Sequence, residues 1–142
     1  VAINKIMGDM PIDYYIFQFD RSTGEFIRDP VWTHTINVKF SDIEEKHRES
    51  LPRLLIDGDY NGDGKKDLLV VRHIGEQYEL QIYGYTPRIF AGKPVVGFFT
   101  APFKTYELAD FPVWMHIINF ENDARSDVVC DYPDKVVIFR SK

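Results

Sequence analysis

A single cysteine, Cys130, stands in 142 residues, which excludes an internal disulfide. It does not exclude an extracellular setting, because bound calcium and closed β-structure replace disulfides as staples. No apolar run approaches 18 residues, so no membrane insertion is expected. The basic residues are scattered and the net charge is −5, which leaves no electrostatic footprint for nucleic acid. A glycine-rich phosphate loop, a nucleophile elbow, a carboxylate pair in a recognisable context and an Asn-x-Ser/Thr acceptor are all missing. The chain therefore offers no catalytic constellation and is not expected to be an enzyme. Helix signals are nearly absent as well; Ser41 with Glu44 caps one turn at most. There is neither a signal peptide nor an initiator methionine, and Val1 onward reads directly as a strand, so the expectation is a piece of something longer or a processed product.

What is present is enough apolar material, 44% of residues with 15% aromatic, for one domain with a real core. The densest signal is residues 56–71, IDGDYNGDGKKDLLVV. Counting Asp59 as position 1, side-chain oxygens recur at positions 1, 3, 5 and 9 (Asp59, Asn61, Asp63, Asp67), and Lys65 offers its carbonyl at position 7. Calcium takes six to eight oxygens at about 2.3–2.6 Å, and a tightly coiled loop turns alternate residues inward to supply them. Gly64 at position 6 allows the sharp reversal between ligands 5 and 7. Three carboxylates leave such a loop at about −3, which a divalent cation relieves. A polar turn of Asp, Asn and Gly is the plainer reading, yet it does not require four phased oxygens and a position-6 glycine. An EF-hand fails because position 12 is Val70 where a bidentate Glu is needed, and 68–71 reads as a strand.

The stretch has a partner 60 residues on. Asp59, Asn61, Asp63 and Asp67 fall on Asn119, Glu121, Asp123 and Asp127, and Lys65 falls on Arg125. This second loop is degenerate: Asn119 replaces an Asp, Glu121 is longer than Asn61, and Ala124 stands where the turn wants glycine, so it is the weaker metal candidate. Arg125 is expected to offset Asp123 or Asp127. A further self-match at an offset of 64 sets Tyr14, Ile16, Phe26, Pro30 and Val31 on Tyr78, Leu80, Phe90, Pro94 and Val95. Both matches describe one repeat of about 60 residues. Labelling its strands A to D predicts B at 2–7, C at 14–19 and D at 31–38. A full set follows at 53–58, 67–72, 78–85 and 95–100, then A, B and C at 113–118, 127–131 and 136–140.

The expected fold is thus all-β, with four-stranded antiparallel units in the order BCD-ABCD-ABC. One domain spans 1–142: a partial unit at 1–50, a complete one with the metal loop at 51–110, and a partial one with the degenerate loop at 111–142. Radially stacked units of this kind are β-propeller blades, and burial on both faces explains why A and B read as continuous apolar runs. A ten-stranded sandwich is the alternative and wants sharper alternation. His34, His47, His73 and His116 lack zinc-ligand neighbours, and Cys130 reads as a buried small hydrophobe. Trp32 and Trp114 read as packing between units, with sugar stacking as the other possibility.

Residues 59–70 resemble the FG-GAP/VCBS-type repeat of integrin α-subunit propellers and many bacterial surface proteins, whose signature is close to D-x-N-G-D-G-x-x-D-L-x-V. The Phe-Gly and Gly-Ala-Pro elements of the integrin version are absent, so the likeness is to the wider group. The resemblance implies calcium at the A to B turn of a blade, held by Asp59, Asn61, Asp63, Asp67 and the Lys65 carbonyl. It also implies an extracellular or cell-surface module for adhesion, protein interaction or scaffolding, with recognition on the opposite rim. A carbohydrate-binding lectin, or a non-catalytic domain of a polysaccharide-processing enzyme, is the alternative. The remaining blades are expected from a longer chain or from self-assembly, and the ligand is a protein or a glycan.

Overall fold

The computed structural model describes residues 9–39, 54–120 and 122–141. The strand expected at 2–7, the charged connection at 41–50 with its single helical turn, and Glu121 lie outside the described residues. Within them the chain is all β, without a helix, in small antiparallel sheets. None of its elements is a helix long and apolar enough to cross a membrane.

The central sheet is a meander. Strands β5 (Leu54–Ile56), β6 (Leu68–Ile74), β7 (Gln77–Tyr83) and β10 (Lys104–Leu108) lie in the order β10-β7-β6-β5. A second sheet contains β11 (Trp114–Ile118), β12 (Asp127–Asp131) and β13 (Val136–Phe139), with β12 in the middle. Ahead of both, β1 (Asp9–Ile16) pairs with β4 (Trp32–Lys39). Two short hairpins, β2 (Phe19–Asp20) with β3 (Glu25–Phe26) and β8 (Arg88–Phe90) with β9 (Lys93–Val95), interrupt the connections β1 to β4 and β7 to β10.

The run Leu68-Leu69-Val70-Val71 shows why the apolar stretches are continuous. Successive side chains of a strand point to opposite faces. Leu68 and Val70 enter a cluster with Ile36, Tyr83 and Phe98, against which Ile12, Tyr14 and Trp32 pack, while Leu69 and Val71 enter another with Leu80, Met115, Val128 and Cys130. The central sheet is covered on one face by β1 and β4 and on the other by β11 to β13, so no position of β6 is free to be polar until Arg72.

Two expectations change. The fourth strand of the central sheet is β10, not 95–100: Lys93–Val95 closes a hairpin on β8, and 96–103 is connection. The segment 98–103 carries three phenylalanines and a proline without alternation, whereas in 104–108 Tyr106 and Leu108 pack inward between exposed Thr105 and Glu107. The offset of 64 also fails to match equivalent positions. Phe26 lies in the second strand of its hairpin and Phe90 in the first of its own. Strand C of the first unit runs Asp9–Ile16, earlier than 14–19.

Leu69 is buried between two sheets. Leu69→Ala is expected to lower the unfolding free energy by about 2–5 kcal/mol in a denaturant titration, while Ile89→Ala, on an exposed hairpin, changes it by less than about 0.5 kcal/mol.

Candidate metal centre

Residues 59–67 form the bend between β5 and β6, and the loop is organised by its own acidic side chains. Asp59 Oδ1 accepts the N–H groups of Gly62 (2.8 Å) and Asp63 (3.1 Å), and Oδ2 accepts that of Gly64 (2.7 Å). Asn61 Oδ1 accepts from Asp63 at 3.1 Å, and Asp63 Oδ1 from Lys65 at 2.8 Å. The reversal this coil needs falls on Gly62 (φ 80°) and Gly64 (φ 82°), left-handed conformations that a side chain resists.

Asp67 closes the loop from beneath. It is 0% exposed, and its carboxylate bridges two connections: Oδ2 accepts the Tyr60 N–H at 2.8 Å and Oδ1 the Tyr85 N–H at 3.2 Å. Burial raises its pKa above the ordinary carboxylate value; those two N–H groups lower it, and the charges of Asp63 and Asp59 raise it again. The three acids thus feel one another. Lys66 turns away to Asp57 at 3.3 Å, and among the described residues no ion pair neutralises Asp59, Asp63 or Asp67.

The donor set fits a calcium ion. A carboxylate offers about four lone-pair sites. Asp59 spends three, Asp63 one and Asp67 two on main-chain N–H groups, so each keeps at least one. Asn61 supplies an amide oxygen, and the Lys65 carbonyl completes the all-oxygen set that hard cations take. The structure does not draw the carboxylates to one point, however: among the described residues no three His, Cys, Asp or Glu side chains form a group that could hold a metal.

The second loop repeats the hydrogen bonds of the first at positions 60 apart. Asp123 N–H donates to Asn119 Oδ1 (3.0 Å), Arg125 N–H to Asp123 Oδ1 (2.9 Å), Phe120 N–H to Asp127 Oδ2 (3.0 Å) and Ser141 N–H to Asp127 Oδ1 (2.9 Å). Asn122 takes φ 55° where Gly62 takes 80°. The match ends at Ala124, whose φ is not positive. The cause is one atom. Asp59 Oδ2 accepts the Gly64 N–H, but the corresponding atom of Asn119 is Nδ2, a donor, and it bonds to the Asp123 carbonyl instead. The Arg125 guanidinium does not offset Asp123 or Asp127: Nη1 donates to the Ser141 carbonyl at 3.2 Å, and the stem passes beside Gly62.

The two loops are also bonded to each other, which no spacing in the sequence signals. Asp59 N–H donates to Ser126 Oγ at 2.9 Å, and Ser126 N–H donates back to the Asp59 carbonyl at 2.6 Å. Tyr60 fills the space between the sheets, and burial with the charges of Asp57, Asp67 and Asp127 pushes its phenol far up. His116 is exposed and pairs with Asp131 at 2.8 Å rather than entering the core. Cys130 is buried, and burial pushes its thiol up to about 12.

Asp67→Ala, which strands two N–H groups, is expected to cost about 2 kcal/mol or more, and Ser126→Ala about 1 kcal/mol, by denaturant unfolding. The Cys130 thiol is expected to resist a disulfide reagent in native buffer at mildly alkaline pH and to react completely once unfolded; equal rates in the two conditions would contradict the packing of β12. The chain matches no family model, no curated protein and no solved structure.

Proposed function

We propose that this chain is a calcium-stabilised segment of propeller-type blades that serves as an extracellular protein-interaction, adhesion or scaffolding module. The observation that carries the reading is the 59–67 bend: three acids coiled by main-chain N–H groups at the turn joining two antiparallel strands, with no cation paired to them among the described residues. The same hydrogen-bond scheme recurs 60 residues later at the β11 to β12 turn, which supports a repeated unit. The calcium would be structural, held by Asp59, Asn61, Asp63, the Lys65 carbonyl and Asp67, and its binding free energy would add to folding.

The stacking of the sheets supports blades and points to further ones. In β7, Leu80 and Ile82 face the terminal sheet and are 0% and 2% exposed. In β13, Val136 and Ile138 face away from the core and are 61% and 42% exposed, joined by Trp114, Ile118 and Phe120. An apolar face of this kind on the last sheet suits the next unit of a wheel, supplied by a longer chain or by a second copy. A glycan-binding module is the second reading, favoured by the aromatic and basic cavity between the first strand pair and the connection after β7.

Thermal unfolding with added calcium and with a chelator tests the metal. At a hundredfold excess over Kd, calcium is expected to add about 2.7 kcal/mol, or about 5–10 °C in Tm. Asp59→Asn with Asp63→Asn is expected to abolish that shift. A Tm indifferent to calcium and chelator would remove the proposal's basis.

A further inference from the structure

We propose that the cavity between β4 and the connection after β7 binds a small carboxylate carried on a six-membered ring, the chemistry of hexuronic acids and of simple aromatic acids. The cavity measures about 570 Å³, within the range of small-molecule sites. Its walls combine Trp32, Thr33 and His34 of β4 with Arg88 of β8 and Phe99 and Thr100 of the connection. The inference goes beyond the calcium reading, since none of these residues belongs to the 59–67 loop.

The lining has one sign. The chain carries a net −5, yet no Asp or Glu lines this cavity, while Arg88 and His34 do. Arg88 is held rather than free: its guanidinium lies over the Trp32 ring at 5.2 Å, and Nη1 donates to the Val31 carbonyl at 3.1 Å. A guanidinium has five N–H donors in a planar fork, so one tethered bond leaves the others to meet a carboxylate, the planar anion that the fork matches. His34 packs edge-on against Tyr83 at 5.0 Å, and burial followed by the Arg72 charge pushes its pKa down, so at neutral pH it offers an uncharged ring.

The rest of the lining suits a ring. Phe99 is 57% exposed, an aromatic surface open to the flat face of a ring, whereas its neighbour Phe98 is buried against Trp32 and Tyr85. Thr33 and Thr100, both exposed, add two hydroxyls able to donate or accept. An anionic group, a ring face and hydroxyl partners are the features of a sugar acid. An aromatic acid shares the first two.

The wall is braced from the candidate metal centre. Asp67 holds the Tyr85 N–H, Tyr85 bridges Phe98, and Phe99 N–H donates to the Gly84 carbonyl at 3.0 Å. A Cβ at Gly84 would meet the Phe99 ring at 3.3 Å and Asn61 Nδ2 at 3.4 Å. The cavity thus stands at the same end of the sheets as the loop, not on the opposite rim expected for recognition.

The test is a titration of the whole chain with glucuronate, benzoate, glucose and acetate, each to about 50 mM, following the amide resonances of Thr33, Phe99 and Thr100. Glucuronate is expected to shift them with a millimolar Kd. Arg88→Met should weaken it about tenfold, and Thr100→Val, on an exposed position, should weaken glucuronate but not benzoate. Tighter binding of glucuronate than benzoate assigns a sugar acid, and the reverse an aromatic acid; either supports the site. Absence of shifts with both acids, or equal shifts with glucose or acetate, overturns it. Repeating the titration with calcium and with chelator separates this outcome from the fate of the metal reading, because the lining residues are not the proposed ligands.

Discussion

A carboxylate removed from water must be answered by hydrogen bonds, and the Asp67 side chain is answered by the main chain of two different connections. Its oxygens accept from Tyr60 in the β5 to β6 bend and from Tyr85 just beyond β7. Desolvating a charge is costly, so the arrangement persists only while both N–H groups stay aimed at it. The geometry of the bend, the exit of β7 and the long connection that follows are therefore fixed together. Asp127 does the same for Phe120 and Ser141 in the terminal sheet. One device thus sets the same end of both sheets.

From that anchor the two bends meet. Asp59 and Ser126 exchange main-chain and hydroxyl hydrogen bonds across the junction, while Tyr60, Ile117, Val128 and Cys130 fill the space between the sheets. Apolar packing supplies the bulk of the attraction and is indifferent to register. The Asp59–Ser126 pair is directional and selects one alignment of the sheets. An ion bound at Asp59 would hold the residue that already ties them, which is why occupancy of the first bend is expected to act on the junction as well as on the loop.

The terminal sheet stands between two roles. Its inner face is as apolar as the central sheet requires, and its outer face keeps apolar residues where a solvent-facing sheet of an isolated domain would alternate to polar. The exposed Phe120 corresponds to Tyr60 in the preceding bend, which is covered. The pattern of covered and uncovered faces is that of a unit taken from a series.

The sequence on its own was sufficient for the metal loop, because the ligand spacing and Gly64 are local: each side chain bonds to a main-chain N–H within a few residues, and no distant partner is needed to coil the bend. It was likewise sufficient for the strands flanking the two bends, since buried strands leave continuous apolar runs. It misplaced the fourth strand of the central sheet, where Val95 and the phenylalanines after it made a stronger apolar signal than 104–108, although β10 alternates as a half-covered edge strand should. Only the tertiary structure decided which loop touches which. The Asp59–Ser126 exchange, the reach of Asp67 to Tyr85, the turning of Arg125 to Ser141 and the gathering of Trp32, Arg88 and Phe99 around one cavity join residues far apart in the chain, and such pairings follow from how sheets stack, a choice that no local spacing records.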